Sequence, residues 1–399
     1  MKSTILHRDV NLILAASFFY MASPMLVTPL ITGFAGSIGV NAAMVGLVGG
    51  LMNLCSLLCR PFVGNLADKI SKYRLTFIGA VLMLLACVGY MLATHPFLVI
   101  LARIINGIGF ACCSVCLSTW MSNLLPKEKI GSGMGLYGTM NALSMAIAPA
   151  IGVKVYQTFG YHSAFLIAAL FMVFTTLLIQ FVKDKGEAPQ PKVAAAMTTD
   201  TAKTKHRLQV VDQNALPAAL IIMLFAIPYC ATQSFLISYT EAKDLSVSVS
   251  LFFPFYAAVL LVLRLSLRSQ FDKQPFSVFL LASAVSAALG LIMLAIMQSN
   301  IGLILAAMFM AGGYGIMCSV CQSTAILAAG EEKRGLANST YYVGIDLGMT
   351  LGPAIGGFLF GHLDIHLFYP ALLLTVPLCF LVHGLSQRQK NKRMAHGQV

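Results

Sequence analysis

The sequence predicts an all-α membrane protein: twelve transmembrane helices in two pseudo-symmetric six-helix bundles. Three observations carry that reading. Of the 399 residues, 58% are hydrophobic and only 10% charged, at a mean hydropathy of +0.83. A soluble domain carries roughly 25% charged residues, so this chain lacks the polar surface a dissolved globule needs. The apolar residues also gather in long runs, each matching the ~20 residues with which a helix rising ~1.5 Å per residue crosses ~30 Å of hydrocarbon. Finally, the second half of the chain repeats the first. Nucleic-acid binding, secretion and cytosolic catalysis fit such a composition poorly.

In chain order the spans are expected at 10–34, 42–64, 73–94, 96–121, 131–156 and 162–183, then at 214–240, 247–268, 275–297, 300–328, 335–361 and 366–386. The first run is long and leads into Pro24, Pro29 and further spans, not into a small-residue cleavage site, so it reads as a span and not as a leader. Residues 184–213 are polar and form the only long hydrophilic stretch. They divide an N-terminal bundle (1–183) from a C-terminal bundle (214–386), and 387–399 is a basic tail.

The net charge of +12 reports topology. With the N-terminus inside, the inner segments collect Lys2, Arg8, Lys69, Lys72, Arg74, Lys127, Lys129, Lys183, Lys185, Lys192, Lys203, Lys205, Arg207, Arg268, Lys273, Lys333, Arg334, Arg388, Lys390, Lys392 and Arg393, which is 21 of the 26 Lys and Arg. The outer loops hold Lys243 alone. This excess of inner cations places both termini and the 184–213 linker in the cytoplasm.

One offset relates the halves. Moving by 204 residues aligns Pro24 with Pro228, Arg60 with Arg264, Asp68 with Asp272, Lys129 with Lys333, Pro149 with Pro353 and Gly152 with Gly356. In the fourth span of each half, Cys113-Ser-Val-Cys116-Leu-Ser118-Thr119 meets Cys318-Ser-Val-Cys321-Gln-Ser323-Thr324 one residue out of step. A duplicated six-helix unit, with its copies parallel in the membrane, accounts for both.

Between spans two and three, Arg60-Pro-Phe-Val-Gly64-Asn-Leu66-Ala67-Asp68-Lys69-Ile-Ser-Lys72-Tyr-Arg74 resembles the loop 2–3 signature of the major facilitator superfamily. Its echo, Arg264-Leu-Ser-Leu-Arg268-Ser-Gln-Phe-Asp272-Lys273, keeps Arg and Asp but loses the glycine. Arg103-Ile-Ile-Asn-Gly107-Ile-Gly109 is similar to a motif of proton-coupled members. Gly344-x3-Gly348-x3-Gly352-Pro353-Ala-Ile-Gly356-Gly357 looks like the glycine–proline motif of drug:proton antiporters, although those carry it in span five. Here span five has only Ala148-Pro149-Ala-Ile-Gly152. The resemblance implies the MFS fold, with Asp68 bridging to the start of span eleven as part of an inner gate. It also implies a central cavity, lined here by Tyr20, Asn106, Ser114, Ser118, Asn141, Tyr229, Gln233, Gln322, Tyr341 and Tyr342.

Charges inside spans are expensive and usually functional. Arg60 and Arg264 go with the gate on spacing, and Lys154 can snorkel to the interface. That leaves Arg103 and Asp346. Asp346 lies near mid-membrane on a face with Asn338, Tyr342 and Thr350. Desolvation favours the neutral form of a carboxyl group, the property a proton carrier needs, so Asp346 is the candidate proton-coupling acid. Permanent pairing with Arg103 or a tyrosine hydroxyl, or contact with a substrate ammonium, are the alternatives. Arg103 keeps its proton and acts as a fixed charge: it tunes a carboxylate, binds an anionic group, or packs onto backbone carbonyls. The glycines at 344, 348, 352 and 356 form a ridge for close helix packing, and Pro353 can bend the helix as a hinge.

All ten cysteines fall in apolar spans, so disulfides across outer loops are not expected. The Cys113/Cys116 and Cys318/Cys321 pairs read as packing residues, and His362/His366 as a weak metal pair, so no metal is expected. No Walker A sequence appears, nor any cofactor motif. The expected function is a non-enzymatic secondary transporter of the cell membrane, working as a monomer by alternating access. Its partners would be a small organic solute, a proton and the bilayer, with efflux by antiport favoured. Proton-coupled uptake, a lipid flippase or a membrane sensor are the alternatives.

Overall fold

A computed structural model describes residues 7–39, 42–187 and 209–395. Lys2, Lys192, Lys203, Lys205, Arg207 and most of the expected linker lie outside the described residues. Among those described there are helices, turns and no strands.

Among the described residues, ten helices are long and apolar enough to cross a membrane. One of them, Ile130–Gln180, has 51 residues, which at ~1.5 Å per residue would run more than twice the ~30 Å hydrocarbon thickness. It reverses at Gly160, whose φ of +81° and ψ of 178° are open to glycine alone. The two parts are therefore separate spans, α5 (130–159) and α6 (161–180), joined by one residue where a short loop was expected. Together with the helix Ala42–Lys69, apolar through residue 59, this makes twelve among the described residues.

The N-terminal bundle holds α1 (Arg8–Ser37), α2 (Ala42–Lys69), α3 (Lys72–Leu92), α4 (Pro96–Asn123), α5 and α6. The C-terminal bundle holds α7 (Leu216–Ala242), α8 (Phe252–Ser266), α9 (Phe276–Ile296), α10 (Asn300–Ala329), α11 (Arg334–His362) and α12. The last comes in two pieces, Phe368–Leu372 and Thr375–Ala395, so its helix continues into the basic tail expected from residue 387. Within α10, Ala311–Gly315 forms a π turn.

Each bundle closes on itself through small residues. α1 packs along the α5–α6 segment, α4 along α2 and α3, and α7 along α11. A Cβ on Gly107 would lie 2.5 Å from the Met52 carbonyl oxygen, and one on Gly109 would lie 2.6 Å from that of Gly79. The α11 ridge faces α7 of its own bundle: Gly344 lies on the Ala219 backbone, Gly348 against Met223, Gly352 against Ile227 and Gly356 against Phe235. Gly152 meets Leu26 in the same way on α1. Pro149 and Pro353 sit half-buried inside unbroken helices.

Between the bundles, α2 and α4 meet α11, and α5 meets α8 and α10. The hydrogen bonds and ion pairs that cross this cleft among the described residues lie from mid-depth to the end carrying Lys69, Lys72, Lys127 and Lys333, called here the basic side. Toward the far side, Met145, Gln233, Leu347 and Thr350 are exposed. The cleft is closed at the basic side and open at the other.

Candidate functional site

Two carboxylates latch the basic side. Asp68, in the last turn of α2 beyond its apolar run, accepts hydrogen bonds from the Gly335 and Leu336 amides at 2.6 and 2.9 Å. These amides open α11, where a helix leaves its N–H groups unpaired and carries partial positive charge. Burial pushes the Asp68 carboxyl up to about 6, against the opposing pull of the two amides. Asp272, after α8, repeats the arrangement on α5 by accepting from the Ser132 amide at 2.9 Å. Gly64 and Gly131 let these segments approach, since a Cβ at Gly64 would strike Ser339 and one at Gly131 the Phe271 carbonyl. Lys72 is buried at the start of α3, beside Asp68, while Lys69 and Arg74 are exposed.

Further ties cross the same end. Arg334 donates to the Ser122 carbonyl at 2.7 Å and to Asn123 at 3.2 Å, and Lys127 pairs with Glu331 at 3.2 Å. Arg334 carried no candidate role in the sequence; it stood there only as a topology cation.

At mid-depth the structure departs from the expected grouping. Asp346, 9% exposed, pairs with Arg60, 1% exposed, and not with Arg103. Arg60 Nε donates to Asp346 Oδ2 at 2.5 Å and Nη2 to Oδ1 at 3.1 Å, a two-point pairing, and Nη1 donates to Ser114 Oγ at 2.9 Å. Its guanidinium also lies 4.6 Å from the Tyr342 ring centroid. Arg60 sits two turns from Asp68, deep enough to bridge α2 and α11 at the level of Asp346. Ser339 Oγ donates to the Arg60 carbonyl at 2.5 Å.

Arg103 is elsewhere. Its Nε and Nη2 donate to the Val48 and Gly49 carbonyls at 2.9 and 2.6 Å. The expected coupling of Arg103 to Asp346 is corrected accordingly: the guanidinium ties α4 to the start of α2 inside the N-terminal bundle.

Arg264 repeats Arg60 by position but not by partner. It donates to the Gly138 carbonyl on α5 and, at 2.8 Å, to the Gly315 carbonyl at the end of the π turn.

The expected cavity set does not gather in one place. Gln322 donates to Asn338 and to Tyr342, both at 3.2 Å, and Asn338 reaches Thr119 at 3.0 Å, so these residues with Ser114 form a polar web across the closed part of the cleft. Tyr229 stacks on Tyr314 at 4.6 Å and lies 4.9 Å from Tyr256, while Tyr341 donates to the Cys318 carbonyl at 2.7 Å. Tyr20 and Asn106 have no exposed surface; Tyr20 lies beside Tyr137, which reaches Tyr342 of the web, and Asn106 lies beside Tyr90 inside the N-terminal bundle. Ser118 bonds back to the Ser114 carbonyl. Asn141 is half-buried and Gln233 is exposed. Thr119 and Ser339 were not singled out; Thr119 lay inside the repeated Cys-Ser-Val-Cys segment, the signal that could have found it.

Neither cysteine pair nor the His362/His366 pair belongs to a group of three or more metal-ligating side chains among the described residues.

Comparison with known proteins agrees with this architecture. The chain is 23% identical over 380 residues, 92% of this chain and 90% of the other, to the multi-drug resistance efflux pump PmrA homolog of Lactococcus lactis. It is 26% identical over 244 residues, 59% of each chain, to the multi-drug resistance efflux pump PmrA of Streptococcus pneumoniae. In fold it resembles FucP, a major facilitator transporter solved in the outward conformation, with a TM-score of 0.75, 16% identity and coverage of 94% of this chain and 98% of that one. The sequence model of the Major Facilitator Superfamily matches residues 13–327 and 271–393. A duplicated twelve-helix plan, two carboxylate latches at equivalent corners and a match spanning nearly the whole chain lead to one conclusion: this membrane transport protein belongs to the Major Facilitator Superfamily.

Proposed function

We propose that the protein is a proton-coupled exporter of a small organic solute, with its basic side in the cytoplasm and the Arg60–Asp346 pair as its proton switch. The observation that carries this reading is the pair itself, a buried two-point contact between the bundles at mid-depth. Breaking a buried ion pair by neutralising one member costs roughly 3–5 kcal/mol, because the other charge is left uncompensated. Protonation of Asp346 therefore loosens the α2–α11 contact that holds the cytoplasmic side shut. Thr350, one turn outward on the same helix, is exposed, so the acid is reached from the open outer cleft. A proton taken up outside weakens the inner closure and leaves once the inside opens, and the solute travels the other way. The cation excess on one side supports the orientation, and the efflux-pump relatives support the direction.

Reconstituted protein under an imposed pH gradient tests the reading. Asp346→Asn should abolish gradient-driven solute movement while sparing solute counterflow, in which no net proton is needed. Full driven transport by Asp346→Asn removes the residue as the carrier.

A further inference from the structure

In the duplicated plan the repeat partner of Arg60 faces no acid among the described residues. Arg60 and Arg264 are related by the repeat, and each lies beside a serine of the fourth span in its half, Ser114 or Ser319. Around Arg60 every part of the guanidinium is used: Nη1 holds Ser114, while Nε and Nη2 hold the two Asp346 oxygens. Around Arg264 the same atoms stand differently. Nε, which in Arg60 holds the carboxylate, has no partner, and neither does Ser319 Oγ.

The reason is visible in the sequence. The position equivalent to Asp346 is Ala142, and the position equivalent to Tyr342 is Gly138. With no side chain at Gly138, its carbonyl is open to Arg264 Nη1, and both Arg264 and Ser319 Oγ crowd the point where a Cβ would stand, at 3.0 and 2.7 Å. Asn141, one turn outward, has its own buried amide oxygen unpaired. The π turn at Ala311–Gly315 presents the remaining partner, the Gly315 carbonyl; such turns are frequent at functional sites. Among the described residues Arg264 makes no ion pair, although it is only 5% exposed. A guanidinium cannot shed its proton to escape this burial, and a charge so placed calls for a counter-ion.

We infer that the transported solute supplies it: the substrate is an organic acid whose carboxylate pairs with Arg264 Nε and accepts from the Ser319 hydroxyl, taking the place that Asp346 fills in the other half. The inference rests on the cleft being the transport route and narrows the solute to anions. The neighbouring rings of Tyr256, Tyr314 and Tyr229 would receive the remainder of the molecule.

Equilibrium binding without any gradient tests this apart from proton coupling. Purified protein in detergent is screened by thermal shift against a panel of aromatic and aliphatic carboxylic acids, each matched with its primary amide and with an amine of similar size. The expected result is that acids raise the melting temperature while their amides and the amines do not. Ala142→Asp places the missing carboxylate on the chain itself. It should raise the melting temperature of the free protein and abolish the response to acids, whereas Ala142→Asn, of equal size without charge, should keep that response. Arg264→Gln should weaken acid binding by at least about tenfold, close to 1.4 kcal/mol. The inference is overturned if no acid shifts the wild-type protein, if amines or amides shift it as strongly, or if Ala142→Asp still responds to acids. Asp346→Asn that fails to uncouple transport while acids still bind overturns the proton switch and leaves the Arg264 site standing.

Discussion

The α2–α11 seam and its repeat, the α8–α5 seam, follow one plan at two densities. On α2–α11, Asp68 takes two amides, Arg60 takes a carboxylate, and Ser339 and Asn338 add bonds to α2 and α4. On α8–α5, Asp272 takes one amide with its second oxygen unpaired, and Arg264 takes carbonyls only. The repeat gives both an Arg and an Asp two turns apart, and the position of Asp346 is Ala142 in the other half. On the proposed reading the dense seam responds to a proton at mid-depth, while the sparse one holds at the same level a guanidinium that meets carbonyls and no counter-charge.

The largest break in this contrast comes from the mid-depth pair. Arg60→Ala leaves Asp346 buried without a counter-charge, at a cost of roughly 3–5 kcal/mol, and the melting temperature in detergent should fall by several degrees. Arg60→Ala combined with Asp346→Ala should cost less than Arg60→Ala alone; strictly additive losses would mean the two residues are not coupled. Overpacking within a bundle comes next. Gly348→Ala meets the Met223 carbonyl at 2.9 Å and should destabilise by about 1–3 kcal/mol, read by the same melt.

The latches should rank below these. Asp68→Asn removes a charge from a helix start, an effect of up to ~2 kcal/mol when partly buried. Pulsed EPR between labels at the exposed positions Arg74 and Lys273 should show a larger population with the basic side open. Asp272→Asn should shift that population less, and an equal or greater shift would contradict the difference in seam density. Lys127→Ala should do least. Its pair with Glu331 is 65% and 62% exposed, a setting worth about 0–1 kcal/mol, so melt and distance distribution should stay close to wild type.

The twelve spans, the repeat and the two Arg/Asp pairs were legible in the sequence because hydropathy, offset and rare residues are one-dimensional signals. Asp68 on the start of α11 was legible through the superfamily resemblance. The partner of Asp346 was not, since Arg60 and Arg103 are both arginines in neighbouring spans and only the rotation of α2 against α11 chooses between them. The glycine ridge announced close packing but not which helix it meets, and it turned out to bind α7 inside its own bundle. The π turn in α10 has no periodic signature, so the carbonyl it lends Arg264 was hidden. The significance of Ala142 was equally hidden, because an absent carboxylate becomes visible only when its arginine is seen waiting.

That arginine also has an electrical meaning. With the basic side closed, the Arg264 charge lies at the floor of a cleft open to the far side and so feels the potential there. Reversing the gate would expose the same charge to the opposite compartment, moving it through much of the membrane field while it hardly moves in space. One elementary charge crossing the full field is worth about 2.3 kcal/mol per 100 mV, so on the proposed orientation a resting voltage, negative inside, would pull the solute-free carrier toward its inward-facing form. A bound anion would cancel the charge and with it the pull, so voltage would act on the solute-free return step and leave the solute-loaded one nearly untouched.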